Sequence, residues 1–141
     1  MLQIRMLGKF EALLDGQVIA GLGPQLRRLL ARLCLEGNRT IEHARLLRDL
    51  WPDSESGDVV RKSLLRLWSL LGSEERRLKA ENATASFDLN GLDIDLKTFS
   101  EQIDQGTPEA IASAVKLYKG MLLEDWEDPW IVETREDYEV S

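Results

Sequence analysis

Within the stretch GDVVRKSLLRLWSLLG, residues 57–72, apolar side chains recur at Val60, Leu64, Leu67 and Leu71, the four-three-four spacing that lines one side of an α-helix. The spacing predicts a helix over about 57–71, with this stripe turned to a core and Gly72 as its terminator. The other side carries Arg61, Lys62 and Arg66, then Leu65, Trp68 and Ser69, so it is basic at first and apolar later. Trp68 falls on the Arg61 and Leu65 side. It is expected to extend the core; the other reading makes it an exposed anchor for a partner.

Two further helical patterns precede this one. Pro24 suits a first helical turn, and LRRLLARLCL over 26–35 places Leu26, Leu29, Leu30 and Leu33 on one side with Arg27, Arg28 and Arg32 outside, before Gly37-Asn38 ends the run. A second helix is predicted over 41–51, with Ile41, Ala44, Leu47 and Leu50 or Trp51 inward, closed by Pro52 and the polar DSESG. Upstream, three short apolar runs over 2–7, 10–14 and 17–20 are broken at Gly8-Lys9 and Asp15-Gly16. An Asp-Gly pair between such runs signals a hairpin and hence a small antiparallel sheet. Downstream, 77–80 and 85–89 alternate as two strands joined around 81–84. Sheet, three helices and hairpin in that order predict an α+β fold, a winged helix-turn-helix.

After Gly91 the pattern becomes helical. Residues 95–105 place Leu96, Phe99 and Ile103 inward and stop at Gly106; Thr107 then caps a helix whose stripe is Ile111, Ala114, Val115 and Tyr118. Pro129 opens another, with Trp130, Val132 or Glu133, and Tyr138 inward. Trp51, Trp126 and Trp130 are expected in packing roles. A helix face that begins in the last dozen residues has little to pack on, which leads us to expect a longer protein or a partner. The predicted division is a winged-helix domain over 1–91 and the beginning of a helical domain over 92–141.

Charge sharpens this division. The net charge of −7 argues against a polyanionic partner, but residues 1–80 hold 14 Lys or Arg against 10 Asp or Glu, a balance of +4, while residues 81–141 hold 4 against 15, a balance of −11. A basic first part and an acidic second part fit a DNA-contacting domain followed by one that does not touch DNA; two solvated faces without that meaning fit equally. Cys34, a single cysteine inside an apolar run, reads as a small buried hydrophobe, and one Cys with one His cannot assemble a zinc site. No apolar run approaches the ~20 residues of a membrane span and no signal peptide opens the chain, so the expected location is the cytoplasm.

Candidate chemistry changes little. The carboxylates Asp93 and Asp95, and Glu124, Asp125, Glu127 and Asp128, lack a His or Lys partner and calcium-loop spacing; ordinary capping outweighs catalysis. GLGP at 21–24 is a turn rather than a phosphate loop, and His43 has no Cys or Ser partner. Neither catalytic nor metal-binding residues are expected, nor any cofactor.

The blocks IRMLGKFEALLDG, GPQLRRLLARLCLEGNRTIEHARLLRDLWPD and RLWSLLG resemble the bacterial regulators of the SARP type, which join an OmpR-like winged helix to a helical bacterial transcriptional activator domain. Leu7-Gly8, Asp15-Gly16, Gly23-Pro24, Arg27, Leu29-Leu30, Arg39, Arg45-Leu46, Leu50-Trp51 and Asp53 carry the first part of the resemblance. Ile94-Asp95-Leu96, Phe99 and AVKLYKGMLLEDWEDPWIVETRE are similar to the start of the activator domain's tetratricopeptide-like helices, a domain that normally continues well beyond this length. The family usually has arginines where Trp68 and Ser69 stand, and Gly-Tyr-Arg-Leu where the chain reads Ser86-Phe87-Asp88-Leu89. The resemblance implies a DNA-binding transcriptional regulator without enzymatic activity, acting as a homodimer on repeated half-sites and contacting RNA polymerase.

Two functional expectations follow. In the first, the 57–71 helix enters the major groove of double-stranded DNA with Arg61, Lys62, Leu65, Arg66 and Ser69, the leucine meeting a thymine methyl, while Arg39, Arg45 and Arg48 reach phosphates. In the second, the winged helix is degenerate and serves as a protein-protein interaction module without DNA binding, with Leu65 and Trp68 as its apolar patch.

Overall fold

The computed structural model describes residues 1–118 and 120–140, the side chains of 137–140 excepted; the inward position predicted for Tyr138 therefore lies outside the described residues. The fold is mixed α+β, and its packing forms two compact units, Gln17–Gly91 and Met1–Gly16 with Leu92–Ser141. The division falls both after Gly16 and after Gly91, so the first strands pack with the later helices. Among the described residues no helix is long and apolar enough to cross a membrane.

In the unit Gln17–Gly91, the strand β3 (Gln17–Val18) leads to α1 (Pro24–Leu35), α2 (His43–Leu50) and α3 (Asp58–Leu70). Pro24 occupies the first turn of α1, and the chain leaves that helix through Gly37 at φ +74°, a conformation that suits glycine. Leu26, Leu29, Leu30 and Leu33 of α1 pack with Leu46 and Leu50 of α2 and with Val60, Leu64 and Leu67 of α3, all buried, and Leu71 continues the stripe. A 3-10 turn, Gly72–Arg77, leads into β5 (Leu78–Ala80) and β6 (Thr84–Phe87), an antiparallel hairpin in register Leu78 with Phe87 and Ala80 with Ala85.

Three expectations need correction here. Ile41 does not start α2: Ile41–Glu42 forms a strand, β4, paired antiparallel with Thr84 and Ala85, so the hairpin becomes a three-stranded sheet in the order β4-β6-β5. Because the helix begins two residues later, Leu46 and Leu50 point inward, Ala44 is exposed and Leu47 is half-buried. Arg32, placed outside by the wheel, is buried: its Nε donates to Asp49 at 3.1 Å and its Nη1 lies 3.6 Å from Glu36. A carboxylate on the neighbouring helix lets the cation lie within the packing while its aliphatic stem covers apolar surface.

In the other unit, β1 (Leu2–Arg5) pairs antiparallel with β2 (Glu11–Leu14) and parallel with β7 (Asp93–Ile94). Asp15 and Gly16 follow β2 with φ of +52° and +83°, the positive values a two-residue type I′ turn requires. The parallel strand was not predicted, since two residues are too few to show alternation. α4 (Asp95–Gln105) ends on left-handed Gly106, and the Thr107 hydroxyl accepts from the Ala110 N–H to cap α5 (Pro108–Leu117), both as the sequence indicated. Pro129 opens α6 (Pro129–Val140), whose Trp130 and Ile131 are buried.

The predicted stripe on α5 is corrected. Ala110 and Ala114 are its buried positions, packed on α4, whereas Ile111, Val115 and Tyr118 are exposed, as is Ile103 of α4. Small side chains let the two helices approach closely and leave the larger ones at the edge of the contact. Among the described side chains of α6, Trp130, Ile131 and Arg135 are buried, Glu133 is exposed and Val132 half-buried. The Arg135 guanidinium donates to the carbonyls of Leu122, Leu123 and Trp126, fixing a loop in which Leu123 takes a φ of +49°. Trp126 stacks on Phe10 with ring centroids 5.4 Å apart.

Cys34 is buried in α1, and burial pushes its thiol up to about 12. The folded protein should therefore resist a thiol reagent in mildly alkaline buffer and react promptly once denatured. Equal rates with and without denaturant would refute this.

Candidate nucleic-acid interface

α3 presents two exposed rows opposite its core stripe. Arg61, Leu65 and Trp68 form one, at intervals of four and three; Lys62, Arg66 and Ser69 form the other. Leu65 is 66% exposed and Trp68 43% exposed. The expected core extension by Trp68 is thus corrected: three residues C-terminal to Leu65, it continues an apolar exposed row, whereas Leu67 and Leu71 of the core stripe are buried.

The cations of this face differ in their surroundings. Arg61 donates to Asp58 at 2.8 Å, one helical turn earlier. Lys62 and Arg66 have no ion pair among the described residues, and with Ser56, Val59, Ser63 and Asp58 they line an open groove of about 460 Å³ along the helix flank. Ser69 turns its hydroxyl back to the Arg66 carbonyl at 2.7 Å, so its proton is not directed outward. Ser56 and Ser63 were missed in the sequence, although Ser63 stands three residues before Arg66 and the helix wheel shows it on that flank.

The three arginines expected at phosphates all have carboxylate neighbours. Arg39 and Arg45 each lie 3.7 Å from Glu36, and Arg48 lies 3.6 Å from Asp49. Their side chains are well exposed, and such surface pairs are worth ~0–1 kcal/mol, too little to prevent exchange for a phosphate. The nearby carboxylates nevertheless weaken the local positive potential.

A second groove, about 270 Å³, brings together the starts of α2 and α3 and the turn of the hairpin, lined by Glu42, His43, Ala44, Gly57, Arg61, Asn82 and Ala83. His43 belongs to the scaffold: its ring nitrogen lies 3.1 Å from the Thr84 carbonyl and its backbone N–H donates to Ala83. Asp88 lies at the base of the hairpin, away from its turn, where its carboxylate accepts from the Asn90 N–H. Glu81 is the acidic residue at the tip.

The paired carboxylates of the later segment are also committed to structure. Asp93 accepts from Gln3 and from the Arg5 guanidinium, whose hydrogen bond holds its carboxyl below the usual range. Asp95 is buried, accepting the N–H groups of Met6, Leu7 and Leu96. Burial pushes its pKa up despite those three donors.

α3 is thus an exposed helix that carries two cations without an ion pair among the described residues, packs on two other helices and is followed by a small sheet. The structure is similar to that of Mycobacterium tuberculosis EmbR in complex with a low-affinity phosphopeptide, with a TM-score of 0.83 over 97% of this chain and 20% sequence identity. The chain spans 41% of the length of that EmbR chain. No protein-family model and no curated protein matches the sequence.

Proposed function

We propose that the chain is the DNA-binding module of a transcriptional regulator, with α3 as the helix that enters the major groove. The supporting observation is the pair Lys62 and Arg66, exposed side by side on α3 and without an ion-pairing carboxylate among the described residues, on a fold like that of a SARP-family regulator. Duplex affinity comes largely from neutralised phosphates, and these two side chains are the ones ready to supply it. Arg39, Arg45 and Arg48 would add phosphate contacts by exchanging weak surface pairs. In this reading β5 and β6 are the wing, 1–91 is the DNA-binding domain and 92–141 begins a tetratricopeptide-like activator domain. The module acts in the cytoplasm as a homodimer on repeated half-sites, contacts RNA polymerase and has no enzymatic activity.

Binding to a labelled random duplex tests this. Affinity is expected at about 50 mM salt and should fall steeply as salt rises, with Lys62→Ala and Arg66→Ala each flattening the log-log salt slope by about 0.9. Undetectable binding under those conditions would reject the proposal. A second reading is favoured by the exposure of Leu65 and Trp68, which together form the apolar patch of a protein-protein interaction module. It predicts a protein that binds no duplex at any salt concentration.

A further inference from the structure

The two rows of α3 divide the work of recognition unequally. Reading guanine in the major groove calls for a free guanidinium or ammonium on the base-edge row, able to donate to O6 and N7. In the row of Arg61, Leu65 and Trp68, the one guanidinium has the Asp58 carboxylate beside it at 2.8 Å, an exposed pair weak enough to exchange, and the next two positions expose apolar surface. Ser69, the remaining polar residue near the end of the face, has directed its hydroxyl to its own helix. Lys62 and Arg66 lie in the neighbouring row, on a flank whose groove is lined by Ser56, Ser63, Val59 and one carboxylate, Asp58, which leaves two cations against one anion for a phosphate strand.

Apolar surface pressed into a groove displaces water from polar base edges without replacing their hydrogen bonds, unless it meets a methyl group. The C5 methyl of thymine is the one such group that a major groove of unmodified DNA offers. We infer that this module reads thymine methyls with Leu65 and Trp68 while Lys62 and Arg66 hold the adjacent phosphates, so that its sites are rich in A·T pairs at the contacted positions. The complementarity of the cationic flank to phosphate selects a duplex over an apolar protein surface as the occupant. This inference rests on the DNA-binding reading above.

The test compares an alternating dA/dT duplex with the same duplex in which every thymine is uracil, which removes the methyls and keeps pairing and phosphates. Burying a methyl-sized group contributes about fourfold in affinity, so the thymine duplex should bind about fourfold tighter for one methyl and about fifteenfold tighter for two. Leu65→Ala combined with Trp68→Ala should abolish the difference. Both are surface positions, so folding is not at stake. Lys62→Ala should weaken both duplexes alike and preserve it. Equal binding of the two wild-type complexes would overturn methyl reading and leave DNA binding standing, as would a thymine preference that survives the double substitution. Binding to neither these duplexes nor a random pool would overturn both proposals and favour the protein-interaction reading.

Discussion

Replacing Arg77 with alanine is expected to lower the unfolding free energy by about 3–5 kcal/mol, the range for removing one partner of a buried ion pair. Its guanidinium is buried at the end of the 3-10 turn. It donates to Glu74 at 2.7 Å and to the carbonyls of Asp88 and Asn90 at 2.9 and 2.8 Å. Alanine would leave the nearly buried Glu74 carboxylate and two carbonyls without this donor, and would release the chain that follows β6. Lysine keeps the charge but loses the fork that meets three acceptors at once, so Arg77→Lys should lie between the two. Urea unfolding followed by circular dichroism measures the difference; a loss below about 1 kcal/mol would show that the network contributes as little as a surface pair. The same substitution should impair duplex binding even where folding is retained, because the hairpin is anchored through Arg77.

Asp95→Ala should have a comparable effect, about 3 kcal/mol or more, because three buried N–H groups lose their acceptor and each unsatisfied group costs about 1–3 kcal/mol. The carboxylate binds Met6 and Leu7 at 2.8 and 3.0 Å and Leu96 at 2.7 Å, tying the end of β1 to the first turn of α4. Asp95→Asn should be milder: an amide retains one acceptor oxygen but directs an NH2 at a backbone donor. The pH dependence follows from burial, which raises the folded pKa above the ordinary 3.8. The folded state then holds this proton more tightly than the unfolded chain does. Stability from this group is full below the ordinary value and declines as pH rises through the raised one. Asparagine does not titrate, so the gap between the wild type and Asp95→Asn should narrow over that interval. Asp93 works in the opposite sense, since Arg5 and Gln3 lower its pKa and its contribution is lost as pH falls. Denaturant midpoints of the two proteins across the acid range would check the sign; a gap that widens as pH rises would contradict it.

Elements with a repeated local signal were legible in the sequence. Pro24, Gly37, Gly106, Thr107 and Pro129 mark helix ends through local backbone geometry and capping, and the stripe Val60, Leu64, Leu67 and Leu71 sets which side of α3 is buried. The pairs Ile41–Glu42 and Asp93–Ile94 were not legible as strands, because their pairing is decided by partners about 40 and 90 residues away and two residues carry no periodicity.

The candidate site was legible only in part. Its residues lie on one helix, so their side of α3 could be read from spacing, and Arg61, Lys62, Leu65, Arg66 and Ser69 are all exposed as expected. The state of each cation could not be read. Arg32 and Arg77 count in the formal charge of the basic half but are buried scaffold, and Arg61, Arg39, Arg45 and Arg48 have carboxylates beside them.

The sequence by itself determined the order and identity of the main helices, the caps that bound them and the stripe that orients α3, since these depend on interactions within a few residues. Tertiary structure alone decided that Trp68 stays exposed, that Arg32 and Arg77 hold neighbouring segments together, and that Lys62 and Arg66 have no ion pair among the described residues. The physical reason is that burial and ion pairing depend on which distant groups arrive within a few ångströms. A helix wheel gives the direction of a side chain but not what it meets there.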